Sequence, residues 1–252
     1  LALLLLLIPS YFYPIQAQSI QDREQGMPYI SYFSPKTYDA HSQNWAITQD
    51  KRGFMYFGNS HGILEYDGTS WRLIPTPKNM VVHSLDTHET GQIFVGAQGE
   101  IGYLSPDSTG LLQYVSLNEY IAAEDSEFGS AWKTYCTTKG TYFLTREKVF
   151  QWDGQRIKTQ NYDPPLNQQY GFYVNEKLYL TQRDKGLVIL DGEELKPVPG
   201  GLAFADDYLY AMIATPYNQI LMGTRQKGLF VCEDDRCSPL YTQADDFLRE
   251  HQ

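Results

Sequence analysis

Basic side chains are in short supply in this 252-residue chain: 20 Lys and Arg stand against 30 Asp and Glu, a formal net charge of −10, and no basic run occurs. Nucleic acid is thereby excluded as a partner, because phosphate backbones are held through Lys and Arg and through released counterions. Cysteine is nearly absent. Cys232 and Cys237 are separated by Glu-Asp-Asp-Arg, a turn-like stretch that either lets them bridge in an oxidising compartment or leaves two thiols. A zinc site would need two more soft ligands nearby, and none follows. Cys136 reads as a small buried side chain. Long apolar runs are missing too. The longest, Leu1 to Ile8, falls short of the roughly 20 residues that span a bilayer. With Pro9 and Ile15-Gln16-Ala17-Gln18 behind it, residues 1–17 read as the apolar centre and cleavage region of a secretory signal, cut after Ala17, rather than as a buried core helix. No Met and no basic leader precede it, so the start of the gene product is expected to be missing. Apolar residues at three- and four-residue intervals are absent over any long stretch, which excludes a helical solenoid. Only Leu117 to Glu127 and Ala244 to His251 read as short helices.

What the chain has is aromatic and β-prone. Hydrophobic residues make up 42% and aromatic ones 14%, enough buried surface to offset the entropy of ordering, so disorder is excluded. One pattern recurs from about residue 43. Its clearest copy is Gly53-Phe-Met-Tyr-Phe-Gly58, then Gly62-Ile-Leu-Glu-Tyr-Asp67-Gly68 and Trp71; later copies begin near Gly91, Gly140, Lys177 and Gln219. With Gly58, Gly96, Thr145, Thr181 and Gly223 taken as equivalent, the spacings are 38, 49, 36 and 42 residues. That is the length of a four-stranded propeller blade, and each copy holds short β-rich runs broken by Gly, Asp or Asn turns. The expected fold is all-β: a β-propeller with about five four-stranded blades over 43–252, an incomplete ring cut at both ends. Residues 18–42 are expected to form a lead-in strand segment.

Gln43-Asn-Trp-Ala-Ile-Thr-Gln-Asp50, Gly53 to Asn59, Gly62 to Gly68 and Ser70-Trp71 resemble the opening repeat of a two-component-regulator propeller, as in the extracytoplasmic sensors of Bacteroidetes hybrid histidine kinases and triple-tyrosine regulators. The preamble Gly26 to Pro35, ahead of Tyr38, is similar as well. The resemblance covers most of residues 26 to 235. It implies a periplasmic, extracytoplasmic sensing region of a protein anchored in the inner membrane. It also implies a small-molecule ligand such as an oligosaccharide, downstream domains of the same protein as partners, and a homodimer. Any kinase activity would belong to other residues.

Several motifs compete for chemistry. Gly58-Asn-Ser60-His-Gly62 matches the Gly-x-Ser-x-Gly nucleophile elbow, but the following residues read as a strand where the elbow needs a helix. Gly96, Gly99 and Gly102 resemble a phosphate loop with the wrong spacing and no helix behind it. His83 and His88 lack partners at metal-ligand spacing. Asp234-Asp235 and Asp245-Asp246 read as solvated loop pairs. Superposing the repeats is more informative. Counting back 13 residues from Gly58, Gly96, Thr145 and Gly223 gives Trp45, His83, Trp132 and Tyr210, and counting back 11 from Thr181 gives Tyr170. These five positions fall near the start of the innermost strand of each blade. They either stack on a flat ligand, with Asn44 and Gln43 supplying hydrogen bonds, or wedge between blades. Arg146, Arg183 and Arg225 fall on one loop of successive copies, as a basic rim or as solvated turn residues. The expectation is a ligand-sensing region that is no enzyme by itself, with no cofactor and no metal. An exported polysaccharide lyase or glycosidase using His83, Tyr170 and Arg225, or an interaction scaffold, are the alternatives.

Overall fold

A computed structural model describes residues 30–162, 166–192, 194–233, 236–243, 245 and 247, with backbone alone at 166–170. Contacts divide the chain into residues 1–32 and residues 33–252; the described residues of the first unit, 30–32, carry no regular structure. The second unit is an open β-propeller of five antiparallel four-stranded sheets, each built from consecutive strands. Blade one holds β1 (Asn44–Gln49), β2 (Met55–Asn59), β3 (Gly62–Tyr66) and β4 (Trp71–Ile74). Blade two holds β5 (Val82–Thr87), β6 (Ile93–Ala97), β7 (Glu100–Pro106) and β8 (Leu112–Ser116). Blade three holds β9 (Lys133–Thr137), β10 (Gly140–Leu144), β11 (Lys148–Trp152) and β12 (Ile157–Asn161). Blade four holds β13 (Leu166–Val174), β14 (Lys177–Gln182), β15 (Gly186–Asp191) and β16 (Glu194–Pro197), and blade five β17 (Leu209–Ala214), β18 (Ile220–Thr224), β19 (Leu229–Glu233) and β20 (Arg236–Leu240).

The turns follow from their residues. In the turns after β3, β7 and β11 the carboxylates of Asp67, Asp107 and Asp153 accept two backbone N–H bonds each, from Thr69 and Ser70, Thr109 and Leu111, and Gln155 and Arg156. This is the local bonding that suits Asp to tight turns. The core is divided into clusters between neighbouring sheets, such as Tyr56, Ile63, Val82 and Val95 between blades one and two, and Phe94, Ile101, Phe143 and Phe150 between two and three. Side-chain hydrogen bonds stitch the innermost strands together: Thr48 Oγ1 to Thr87 Oγ1 at 2.7 Å, Ser84 Oγ to Thr134 Oγ1 at 2.8 Å, the Cys136 N–H to Asp86 at 2.7 Å, and Tyr135 OH to the Gly171 carbonyl at 2.7 Å.

Three sequence expectations meet a different structure. Leu117 to Glu127 forms two separate 3-10 turns, Asn118–Tyr120 and Ala123–Asp125, in the crossing from blade two to blade three. Residues 30–42 hold a helical turn, Pro35–Tyr38, and no strand; Pro35 at its start needs no N–H partner, and Tyr38 and Phe33 pack on Trp71 at 5.4 and 5.2 Å. In blade three the residue in the register place of Gly58 is Leu144, opposite Lys133 and Val149, rather than Thr145. The signal segment 1–17, residues 18–29 of the expected lead-in strand segment, the pair Asp234-Asp235 and nearly all of Ala244 to His251 lie outside the described residues. Among the described residues no helix is long and apolar enough to cross a membrane.

Candidate functional site

The recurring aromatic position has a backbone cause. β1 pairs with β2 through Asn44 to Asn59 and Ala46 to Gly58, leaving Trp45 as an extra residue in the ladder. His83 is the extra residue between Val82 and Ser84, and Tyr210 between Leu209 and Ala211. Such a β-bulge sets two residues against one and re-aims the side chain it carries. Trp132 stands just ahead of β9, its N–H bonded to the Leu144 carbonyl at 2.8 Å. In blade four the register breaks over a longer stretch, between Leu166 and Gly171; the Tyr170 side chain is outside what is described.

Three of the five side chains converge. Ring centroids of Trp45 and His83 lie 5.0 Å apart, those of Trp45 and Trp132 6.0 Å, both edge to face, and those of His83 and Trp132 4.1 Å. With Asn44, Ile47, Phe57, Asp86, Lys133, Thr134 and Tyr135 they line an open cavity of about 520 Å³ over the innermost strands of blades one to three. Trp45 keeps 41% of its surface exposed and donates its indole N–H to Ser60 Oγ at 3.1 Å, so its ring face is available while its polar edge is satisfied. Asn44 accepts the Asn59 amide at 2.7 Å, which fixes its own carboxamide at the cavity rim. Tyr210, in contrast, is 65% exposed and lies in the lining of none of the described cavities around Trp45.

The titratable groups here are tuned by burial. His83 is pushed below its ordinary value by desolvation, so the ring is neutral at pH 7, and its Nδ1 is buried without a hydrogen-bond partner. Lys133 is lowered for the same reason. Burial raises Asp86, and the Cys136 and Thr87 N–H bonds offset only part of that rise. The Cys136 thiol is pushed up to about 12 by burial and by Asp86, which leaves it protonated and inert. The cavity therefore offers aromatic faces, a neutral imidazole, one carboxyl and one amine within one wall.

The other candidates separate. Ser60 and His61 form the two-residue loop between strands β2 and β3, and Ser60 is occupied by Trp45, so the elbow has neither a helix nor a free serine. Gly96, Gly99 and Gly102 lie on β6, its hairpin loop and β7, with a strand where a phosphate loop needs a helix. His83 and His88 stand at opposite ends of β5, about 16 Å apart at the rise of an extended strand, and His88 Nδ1 bonds to Thr90. Among the described residues no three His, Cys, Asp or Glu side chains gather as a metal would require. Arg146, Arg183 and Arg225 each open the loop after the second strand of their blade and are exposed; Arg225 lies 5.6 Å over the Tyr208 ring. Cys232 and Cys237 face each other across β19 and β20 and form a disulfide. Phe57, Asp86, Lys133 and Tyr135 were not singled out by the sequence. Asp86 and Tyr135 each follow the aromatic position by three residues, a place where the other copies carry Thr48, Tyr173 and Ile213, so the position recurs but its chemistry does not.

Fold and cavity define an open propeller in which the innermost strands β1, β5 and β17 carry a bulged Trp, His and Tyr. No family profile matches the chain, and no curated protein does. Among solved structures it is similar to the extracellular domain of a putative hybrid two component system from B. thetaiotaomicron, at 18% identity over 84% of this chain and 32% of that one, TM-score 0.56. It is similar to PorZ, a bacterial surface component of the type-IX secretion system of Porphyromonas gingivalis, at 11% identity over 86% of this chain and 37% of that one, TM-score 0.56. It is also similar to virginiamycin B lyase from Staphylococcus aureus, at 12% identity over 81% and 71%, TM-score 0.51. The chain thus spans about a third of the first two. At these identities the likeness is one of fold.

Proposed function

We propose that the chain is the ligand-sensing propeller region of an extracytoplasmic, membrane-anchored regulator of two-component type, and that these residues bind rather than catalyse. The observation that carries this reading is the convergence of Trp45, His83 and Trp132 on one open cavity. Flat apolar rings beside Asn44, Asp86 and Lys133 suit a small ligand with one apolar face and a polar rim, such as an oligosaccharide. The likeness in fold to the extracellular domain of a hybrid two component system supports it. Binding acts on signalling only through unequal affinity for two states, and the downstream domains and a homodimeric partner supply those states.

The test is thermal shift of the complete ectodomain against a glycan panel. A ligand that raises Tm in the wild type is expected to lose its effect with Trp132→Ala; an unchanged shift would return Trp132 to a packing role. The second reading is an exported lyase, favoured by the neutral His83, which is suited to act as a base. It needs Arg225 at the same mouth, and the cavity lining holds Lys133 there instead. Turnover of any glycan that shifts Tm, lost with His83→Ala, would favour the lyase.

A further inference from the structure

Four sulfur-bearing side chains leave one face of blade five, and three of their sulfurs lie close together. Met212 and Met222 are cross-strand partners between β17 and β18, Ile220 pairs with Cys232, and Cys232 pairs with Cys237. Opposed residues, and residues two apart on one strand, point the same way, so these side chains leave the sheet from one face. With Lys177, Tyr179 and Leu187 of blade four they line a cavity of about 390 Å³. The chain contains five Met and three Cys, and the sulfurs of Met222, Cys232 and Cys237 meet at this one place. Met222 is fully buried and Cys232 nearly so, and Met222 Sδ lies 3.8 Å from Cys232 Sγ.

Thiolate and thioether ligands together select a soft cation, Cu(I) above all. Metal–sulfur bonds near 2.3 Å place two sulfurs on one three-coordinate ion about 4 Å apart, close to the separation already present between Met222 and Cys232. We propose that the Cys232–Cys237 disulfide is a redox latch over a three-coordinate Cu(I) site whose ligands are Cys232, Cys237 and Met222. In the oxidised pair there are no thiolates to donate, and the site is shut. A dithiol reductant supplies two electrons: the S–S bond breaks, each sulfur takes a proton, and the reductant closes to its own disulfide. Cu(I) then displaces the two thiol protons and gains the Met222 thioether. One cation and two thiolates leave a single negative charge, toward which Lys177 on the cavity wall brings an ammonium. This site goes beyond the sensing role and shares no residue with the aromatic cavity, so either reading can fail without the other.

The whole chain, reduced anaerobically with a phosphine, is titrated against the coloured Cu(I)–bicinchoninate complex. Reduced protein should withdraw a single equivalent and oxidised protein none. Met222→Leu, of similar volume, should weaken uptake by more than about tenfold, and Cys136→Ser should change nothing. X-ray absorption should show three sulfurs near 2.3 Å, and circular dichroism should show that each reduced sample stays folded. Equal uptake by both redox forms, a Met222→Leu protein that binds like wild type, nitrogen or oxygen ligation, or uptake only by unfolded protein would each overturn the site.

Discussion

Gly58 and Gly96 lie where one blade closely approaches the next. A Cβ at Gly58 would stand 2.9 Å from Val82 Cγ1 and from the Val82 carbonyl, and one at Gly96 2.8 Å from the Ala131 carbonyl and 2.9 Å from Thr134 Oγ1. Gly223, at the same place in blade five, would meet only Ala211 and Leu229 at 3.8 Å. Gly58→Ala and Gly96→Ala are therefore expected to cost about 1–3 kcal/mol by overpacking, and Gly223→Ala close to nothing; urea titrations of the three variants separate these outcomes. Burial of His83 makes a second prediction. Its folded pKa lies below the ordinary 6.5, so the unfolded chain binds more protons in the window between the two values. Stability should rise with pH through that window and be lost as pH falls below about 6.5. Melting curves of wild type and His83→Phe from pH 7.5 to 5 should show the slope flattened in the variant, and parallel slopes would contradict the assignment. The repeated aromatic was legible because it recurs at a nearly constant distance from Gly58, Gly96, Thr145, Thr181 and Gly223 at the equivalent place of each copy. The bulge behind it was not, because an extra residue in a ladder shows only against the partner strand. Asp86 and Lys133 stayed hidden because they line the one cavity from two different blades, from positions 47 residues apart.

At the scale of the single sheet, each blade needs a neighbour on both faces. Blade five shows what one missing contact looks like. Met212, Ile220, Met222, Phe230 and Cys232 are buried against blade four, whereas on the opposite face Ile213 is 56% exposed and Leu221, Leu229 and Val231 are only half-buried. The second face is as apolar as the first, so as a separate 252-residue chain the protein is expected to self-associate through it. Sedimentation should show a concentration-dependent species that Ile213→Asp with Leu221→Lys removes; a wild type that stays monomeric at all concentrations would refute the idea. The short apolar runs of β18 and β19, set off by turn residues, were readable as strand. Which face would remain open was not, because both faces carry the same kind of residue.

For the molecule as a whole, stability is a sum of sheets and of the seams between neighbours, since the apolar clusters lie between consecutive blades. Hydrogen exchange should then be slowest in β6 and β10, which are covered on both sides, and faster in β18. Phe143→Ala, which empties a fully buried place between blades two and three, should cost about 3–5 kcal/mol and speed exchange there first. Uniform protection across all five blades would instead indicate a single cooperative unit. The five-fold repeat and the strand count were legible because Gly and Asp turns punctuate the sequence at blade length. The two 3-10 turns in the crossing after β8 were not, because no periodic pattern distinguishes them from a longer helix. The bulges of β1, β5 and β17 carry one last consequence. A residue that sits outside the ladder can change identity without disturbing any backbone pairing, as Trp45, His83 and Tyr210 already illustrate. The fold thus keeps a variable letter in a fixed grammar, and chemical taste can drift from one descendant to the next while the architecture stands still.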